Sequence, residues 1–261
     1  MTDFTEANRQ YFDKMATTYE EKFAQGVKVV AEQTAQHRLW ISDRWTDTTT
    51  NLDEKVRMLE YACGPGVISM TLAPFLTEVI GIDVSDKMVE AFNRNAATLD
   101  ISDKMVGHVA DLLGDNVPDE FTKPPYVDMD IVAVSMALHH FEHPDVALQR
   151  LGQRVKSGGT IFIIDLVPQP GHAHAHGHSN GHGHGHDHGH NHDHEASKDE
   201  FGDAAHTIGT HGFSEESMKN LFQQAGFDVQ FKYEAISEPL TLNMDGKSFS
   251  KSIFFARAQR A

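Results

Sequence analysis

The heptapeptide Glu60-Tyr61-Ala62-Cys63-Gly64-Pro65-Gly66 constrains this chain more than any other segment. It follows the apolar run VRMLEY (56–61), of strand character, and opens the helical run 67–75. Glycines at such a junction permit a tight turn and let the backbone approach a ligand closely. The same strand–helix alternation then repeats. VIGIDV (79–84) precedes a helical segment over 86–98, MVGHVA (105–110) forms a third strand, and MDIVAVS (129–135) a fourth. A helix is predicted from Pro144 to Val155, because proline suits a first helical turn, where its missing N–H has no partner to lose. Ser157-Gly158-Gly159 is read as its end and TIFIID (160–165) as a fifth strand. Such alternation, with near-continuous apolar strands, predicts an α/β fold with a parallel, doubly wound sheet.

The flanks carry different patterns. Residues 4–24 place Tyr11, Phe12, Met15, Ala16, Tyr19 and Phe23 at helical spacing, and a second helix is predicted from about Val27 to Trp45. Thr46 to Asn51 is a polar break. Beyond the fifth strand, HAHAHGHSNGHGHGHDHGHNHDH (172–194) has no apolar periodicity, so it reads as a disordered insertion. Ser214 then caps a helix that runs to Ala225, ahead of Gly226. The stretches 228–236 and 248–258 read as two closing strands joined by a loop holding Asp245-Gly246. The expected organisation is a helical cap (1–50), a ligand-binding core (51–167), the His-rich insertion (168–204) and the rest of the core (205–261).

The charge balance narrows the partners. A net charge of −16 argues against a phosphate backbone as ligand and gives no attraction to an anionic membrane surface. The only cysteine, Cys63, allows no intrachain disulfide and reads as a small packed residue. The start MTDFTEANRQ lacks a basic and apolar leader pattern, and no run of about 20 apolar residues occurs, so a cytoplasmic protein is expected. The His tract can bind nickel, zinc or copper incidentally, and no residue set is assigned to a metal. An alternative function therefore stays open: a metal-binding or metal-sensing protein that uses the fold as scaffold.

The second strand ends in Asp83, seventeen residues beyond Gly66. In a doubly wound sheet the carboxyl ends of neighbouring strands face one crevice, and an acidic residue there can accept both hydroxyls of a ribose. A dinucleotide fingerprint needs a third glycine, and Ser69 stands in its place. Glu60 would repel a pyrophosphate but suits a cationic amine or sulfonium. Both features disfavour a nicotinamide oxidoreductase.

These residues resemble the motifs of the class I S-adenosylmethionine-dependent methyltransferases. Glu60 through Gly66 match the family's first motif, Asp83 in GIDVSDKMV the second, and Asp111 in HVADLL the third. Ser135-Met136-Ala137-Leu138-His139-His140-Phe141 resembles the fourth, in the form frequent among the small-molecule branch. GGTIFIID is similar to the fifth strand, Phe213 to Phe231 to the last helix and following strand, and FDKMATTYEEKF to the helix that closes over the cofactor. The resemblance covers about residues 10–165 and 206–258 and implies a Rossmann-like, seven-stranded sheet with helices on both faces. It implies that S-adenosylmethionine is the cofactor and a small molecule the methyl acceptor. It further implies that Gly64 and Gly66 cradle the methionine part, with Glu60 beneath it. Asp83 would hold the ribose, Val84 and Met88 would pack near the adenine, Asp111 would bind its amine, and Leu112 would stack beside it. Ser135 and Met136 would line the methionine side, and Tyr19 would cap it. Among the histidines after the fourth strand, His139, His140 and His143 are candidate bases, His139 and His140 foremost.

Overall fold

The computed structural model describes residues 2–47, 55–168, 202–244 and 247–261. The His tract 172–194 and Asp245-Gly246, expected to sit in a loop, lie outside them. The strands are β1 (Arg57–Tyr61), β2 (Glu78–Asp83), β3 (Met105–Val109), β4 (Met129–Ser135), β5 (Val155–Leu166), β6 (Val229–Ala235), β7 (Leu240–Met244), β8 (Lys247–Lys251) and β9 (Ile253–Gln259). Among the described residues, seven of them form one sheet in the order β3-β2-β1-β4-β5-β9-β6. β1 to β5 pair in parallel, and β9 runs antiparallel between β5 and β6. The direction of winding reverses between β1 and β4, so a crevice opens there at the carboxyl ends of the strands.

Two apolar layers hold the sheet. One face buries α3 (Ala24–Gln36), α4 (Arg38–Ile41), α5 (Val67–Leu72) and α6 (Asp86–Thr98) through Val29, Val30, Ile41, Ile68, Leu72 and Phe92. The other buries α7 (Pro144–Gly152) and α8 (Glu215–Gln224) through Leu148, Leu151, Met218 and Phe222. The small antiparallel pair β7 and β8 packs beside α3.

The structure redraws several sequence boundaries. The first predicted helix is two, α1 (Asp3–Met15) and α2 (Tyr19–Lys22), because Ala16 closes α1 and Thr18 accepts the chain into α2. The second divides at His37, whose Nδ1 and backbone N–H both turn to Gln33 O. α4 ends before Trp45, whose indole N–H donates to Ser42 O at 2.6 Å. The helix predicted to reach Val155 stops at Gly152, where Phe227 packs so closely that a Cβ would sit 2.5 Å from its ring. β5 accordingly begins at Val155, ahead of the glycines read as a helix end. The single strand predicted over 248–258 is broken into β8 and β9, and β7 has no counterpart among the predicted strands. Ser214 caps α8 as predicted, accepting from Ser217 N–H at 3.2 Å.

Candidate active site

The site begins at the turn after β1. Ala62, Gly64 and Gly66 all have positive φ (52°, 50° and 88°). The turn is pinned to β2 by two bonds: Cys63 N–H donates to Ile82 O (3.1 Å) and Gly64 N–H to Asp83 Oδ2 (2.9 Å). At Gly66 a Cβ would lie 2.8 Å from side-chain atoms of Phe92 and Met105, so glycine is what lets the turn settle onto α6. At Gly64 a Cβ would meet nothing within 4 Å, so this glycine leaves its surroundings open.

Three carboxylates stand at three successive strand ends. Glu60 is 2% exposed, and its Oε2 accepts from Ser69 N–H (3.1 Å) and Ser69 Oγ–H (2.5 Å). Burial pushes its pKa up to about 8, even though the two bonds from Ser69 pull it down. Asp83 accepts from Ser85 N–H (2.9 Å) through Oδ1 and from Gly64 N–H through Oδ2. Burial again outweighs these bonds and places its pKa at about 6. Asp111 Oδ1 accepts from Leu113 N–H (2.9 Å) and Gly114 N–H (3.0 Å), which aims the carboxylate as an Asx turn does. Tyr19, at the start of α2, has its pKa raised to about 12 by burial and by the nearby Asp83 and Glu60.

β4 ends in a second sharp turn. Met136 has a positive φ of 52°, and its N–H donates to Ile164 O at 2.7 Å. The 3-10 turn Leu138–His140 follows. His139 is 5% exposed and fastened to the fully buried Asp165 of β5, through its ring Nδ1 (2.7 Å) and its backbone N–H (3.2 Å). The His140 ring lies 4.2 Å from that of His139, centroid to centroid, and its Nδ1 sits 2.8 Å from Thr207 O. A carbonyl can only accept, so Nδ1 carries the proton and Nε2 of neutral His140 keeps a lone pair. Burial, with His139 adjacent, holds the His140 pKa well below the ordinary histidine value.

One cavity of about 270 Å³ brings most of these groups together. Tyr19, Glu60, Gly64, Asp83, Val84, Met88, Asp111, Ser135, Met136, His139 and His140 all line it. Gly66 and Leu112 do not. Gly66 faces α6, and Leu112 turns into the core at 1% exposure, leaving the wall to Leu113. The reason is the Asx turn at Asp111, which swings the next residue inward. Sequence reasoning missed Asp165 and Ser69, the partners that orient His139 and Glu60. Asp165 did leave a signal, a charge closing an otherwise apolar strand. Ser69 reads in the sequence only as a missing glycine. The contributions of Asn8 from α1 and Val27 from α3 to the wall left no motif.

A family model described as a methyltransferase domain matches residues 31–230. An uncharacterised methyltransferase of Schizosaccharomyces pombe is 32% identical over 111 residues, 42% of this chain and 38% of that protein. A ubiquinone biosynthesis O-methyltransferase of Pseudomonas fluorescens is 25% identical over 126 residues, 48% of this chain and 50% of that one. The chain thus spans half or less of the length of these curated relatives. A solved S-adenosylmethionine-dependent methyltransferase of Anabaena variabilis has the same fold, with a TM-score of 0.62 and 16% identity, covering 100% of this chain and 96% of its own. No described helix is long and apolar enough to cross a membrane. Sequence match and architecture together place the chain in the methyltransferase domain family, with the class I fold of S-adenosylmethionine-dependent methyltransferases.

Proposed function

We propose that this protein moves a methyl group from S-adenosylmethionine to a small-molecule acceptor. One observation carries the reading: Glu60, Asp83 and Asp111, from three successive strand ends, converge on a single cavity at the switch point of the sheet. The donor set fits the cofactor. Asp83 uses one lone pair on each oxygen for the backbone and retains acceptor capacity for a ribose diol. Glu60 offers a buried carboxyl to a cationic methionyl end, and Asp111 an acceptor to an exocyclic amine. Gly64, Ser135 and Met136 would flank the methionyl part, Val84 and Met88 would pack by the adenine, and Tyr19 would close the mouth.

When bound, S-adenosylmethionine supplies an electrophilic methyl on a leaving sulfonium sulfur. The residues of this chain align the acceptor and exclude water. His140 offers Nε2 as base, and takes the acceptor's O–H or N–H proton as the acceptor–methyl bond forms. Its lowered pKa keeps it neutral at physiological pH and makes it a weak base, which suits proton transfer concerted with methyl transfer. Asp165 holds His139, and with it the turn that carries His140. The acceptor belongs to the small-molecule class of relatives such as the ubiquinone biosynthesis enzyme. A reducing, cytoplasmic setting fits the buried free thiol of Cys63.

Calorimetric titration of S-adenosylmethionine tests this, with NADH as control. Binding of S-adenosylmethionine alone is expected. Asp83→Ala removes two charge-assisted bonds of about 1.5–3 kcal/mol each, so it weakens binding about 100-fold or more. In a screen of small phenols and amines, His140→Gln should leave that affinity intact and lower turnover by about 10²–10⁴. Equal binding by the Asp83 variant would remove the ribose assignment, and no binding by the native chain would remove the proposal.

A further inference from the structure

The residues assigned to the cofactor occupy the strand-end side of the cavity and leave a second wall unexplained. That wall comes from α3, α5, the end of β5, the segment after residue 202, and β7. It is apolar: Val27, Val30, Val67, Leu166, Ile208 and Leu240 all face the space. Gly26 stands among them, in the first turn of α3. It is buried, yet a Cβ built on it would meet nothing within 4 Å. Its φ is not in the left-handed region, and no turn or close backbone approach asks for glycine there. A glycine inside a helix costs up to about 1 kcal/mol relative to alanine. What lies before Gly26 is therefore empty cavity, kept open at the expense of helix stability. The backbone there is held firmly. The neighbouring Gln25 clasps the start of β7, accepting from Thr241 N–H at 2.7 Å and donating to Pro239 O at 3.3 Å.

The charge of the lining limits what enters. Among the described residues the cavity wall includes the acidic Asp83, Asp111 and Glu142, with Glu60 kept protonated by burial, and no lysine or arginine. A carboxylate or phosphate on the acceptor would find like charge and no lysine or arginine to pair with. The apolar wall itself contains no charged group, so it gives nothing to a cation either.

We propose that the methyl acceptor is an uncharged, largely apolar molecule whose hydrophobic body lies against the wall of α3 and β7, and that Gly26 determines the size it can have. The inference rests on the methyltransferase reading for the word acceptor, but the pocket can be probed independently. The neutral fluorophore N-phenyl-1-naphthylamine and the anionic 8-anilinonaphthalene-1-sulfonate serve as probes, each titrated with and without saturating S-adenosylhomocysteine. The neutral probe is expected to bind at least tenfold more tightly than the anionic one. Gly26→Leu should weaken the neutral probe at least tenfold, and Gly26→Ala by a smaller factor. Both variants should keep S-adenosylhomocysteine affinity within about twofold, with Gly26→Ala unfolding no lower in temperature than the native chain. No binding of the neutral probe, equal binding of both probes, or binding indifferent to residue 26 would each overturn the proposal. Failure of S-adenosylhomocysteine to bind, with the probe results intact, would instead remove the methyltransferase reading and leave the apolar pocket standing.

Discussion

At the scale of single residues, the site is governed by the cost of burying carboxyl groups. Glu60 has a folded pKa of about 8 against an ordinary value of 4.5, because burial outweighs the two bonds from Ser69. The folded chain therefore keeps a proton that the unfolded chain releases between those values. Stability from this group is complete below about pH 4.5, falls as pH rises, and is gone above about pH 8. A tenfold change in proton affinity corresponds to about 1.4 kcal/mol, so the effect amounts to a few kcal/mol at most. Glu60→Gln removes the titration while its amide oxygen can still accept from Ser69. Urea unfolding at stepped pH should show the variant gaining on the native chain from pH 5 to 8 and then running parallel. A constant offset across that range would mean that Glu60 is ionised throughout. The motif around Glu60 was legible in the sequence because its glycines serve local backbone geometry. Its partner Ser69 was not, since a hydrogen bond to a carboxylate nine residues away has no periodicity to announce it.

At the scale of elements, α1 is a latched wall of the cavity. Thr5, Asn8, Tyr11 and Phe12 of α1 line the cavity, and a polar latch ties the helix to the start of α6. Asp13 Oδ1 accepts from Ser85 Oγ–H at 2.6 Å and Oδ2 from Arg9 at 2.6 Å. Ser85 Oγ in turn caps α6, accepting from Met88 N–H at 3.1 Å. One hydroxyl thus serves two helices. Asp13→Ala should speed amide exchange along residues 3–15 and leave α6 protected. Ser85→Ala should loosen both and lower stability by about 0.5–2 kcal/mol, the usual cost of a lost N-cap. Equal exchange in α1 for both variants and the native chain would show that α1 is held by its apolar face alone. The cap residue of α8 was read as Ser214 ahead of an acidic first turn, whereas Ser85 was not singled out as the cap of α6. The breaks at Ala16 and His37 were not legible, because the apolar spacing continues across them.

At the scale of the whole molecule, one aromatic ring joins the turn to the sheet. Phe92 of α6 is fully buried, and Cβ atoms at Gly66, Gly81 and Gly107 would each approach its ring within 3.0 Å. Those three positions belong to the β1 turn, β2 and β3, so the ring is the post that joins the turn to these two strands. Phe92→Ala should cost about 3–5 kcal/mol in denaturant unfolding, within the range for a large core truncation. Gly81→Ala and Gly107→Ala should also destabilise the native chain, but less so in the Phe92→Ala background, where the space has opened. Additive losses would show that the glycines answer to something other than this ring.

The alternation of apolar strands and helices, the turn Glu60–Gly66 and the acidic ends of the second and third strands could be read directly, since each is a local pattern with a local physical cause. The seven-stranded sheet and the family followed from them. Distances in space between segments remote in the chain could not be read. His139 meets Asp165, His140 meets Thr207, and Gly26 faces a void beside Leu240 only after the sheet has brought β4, β5, α3 and β7 together. Leu112 looks in the sequence like a cavity residue beside Asp111, and the Asx turn buries it and presents Leu113 instead. Periodicity records which face of an element is apolar. Which apolar face meets the core and which meets a ligand is decided by packing across the whole chain.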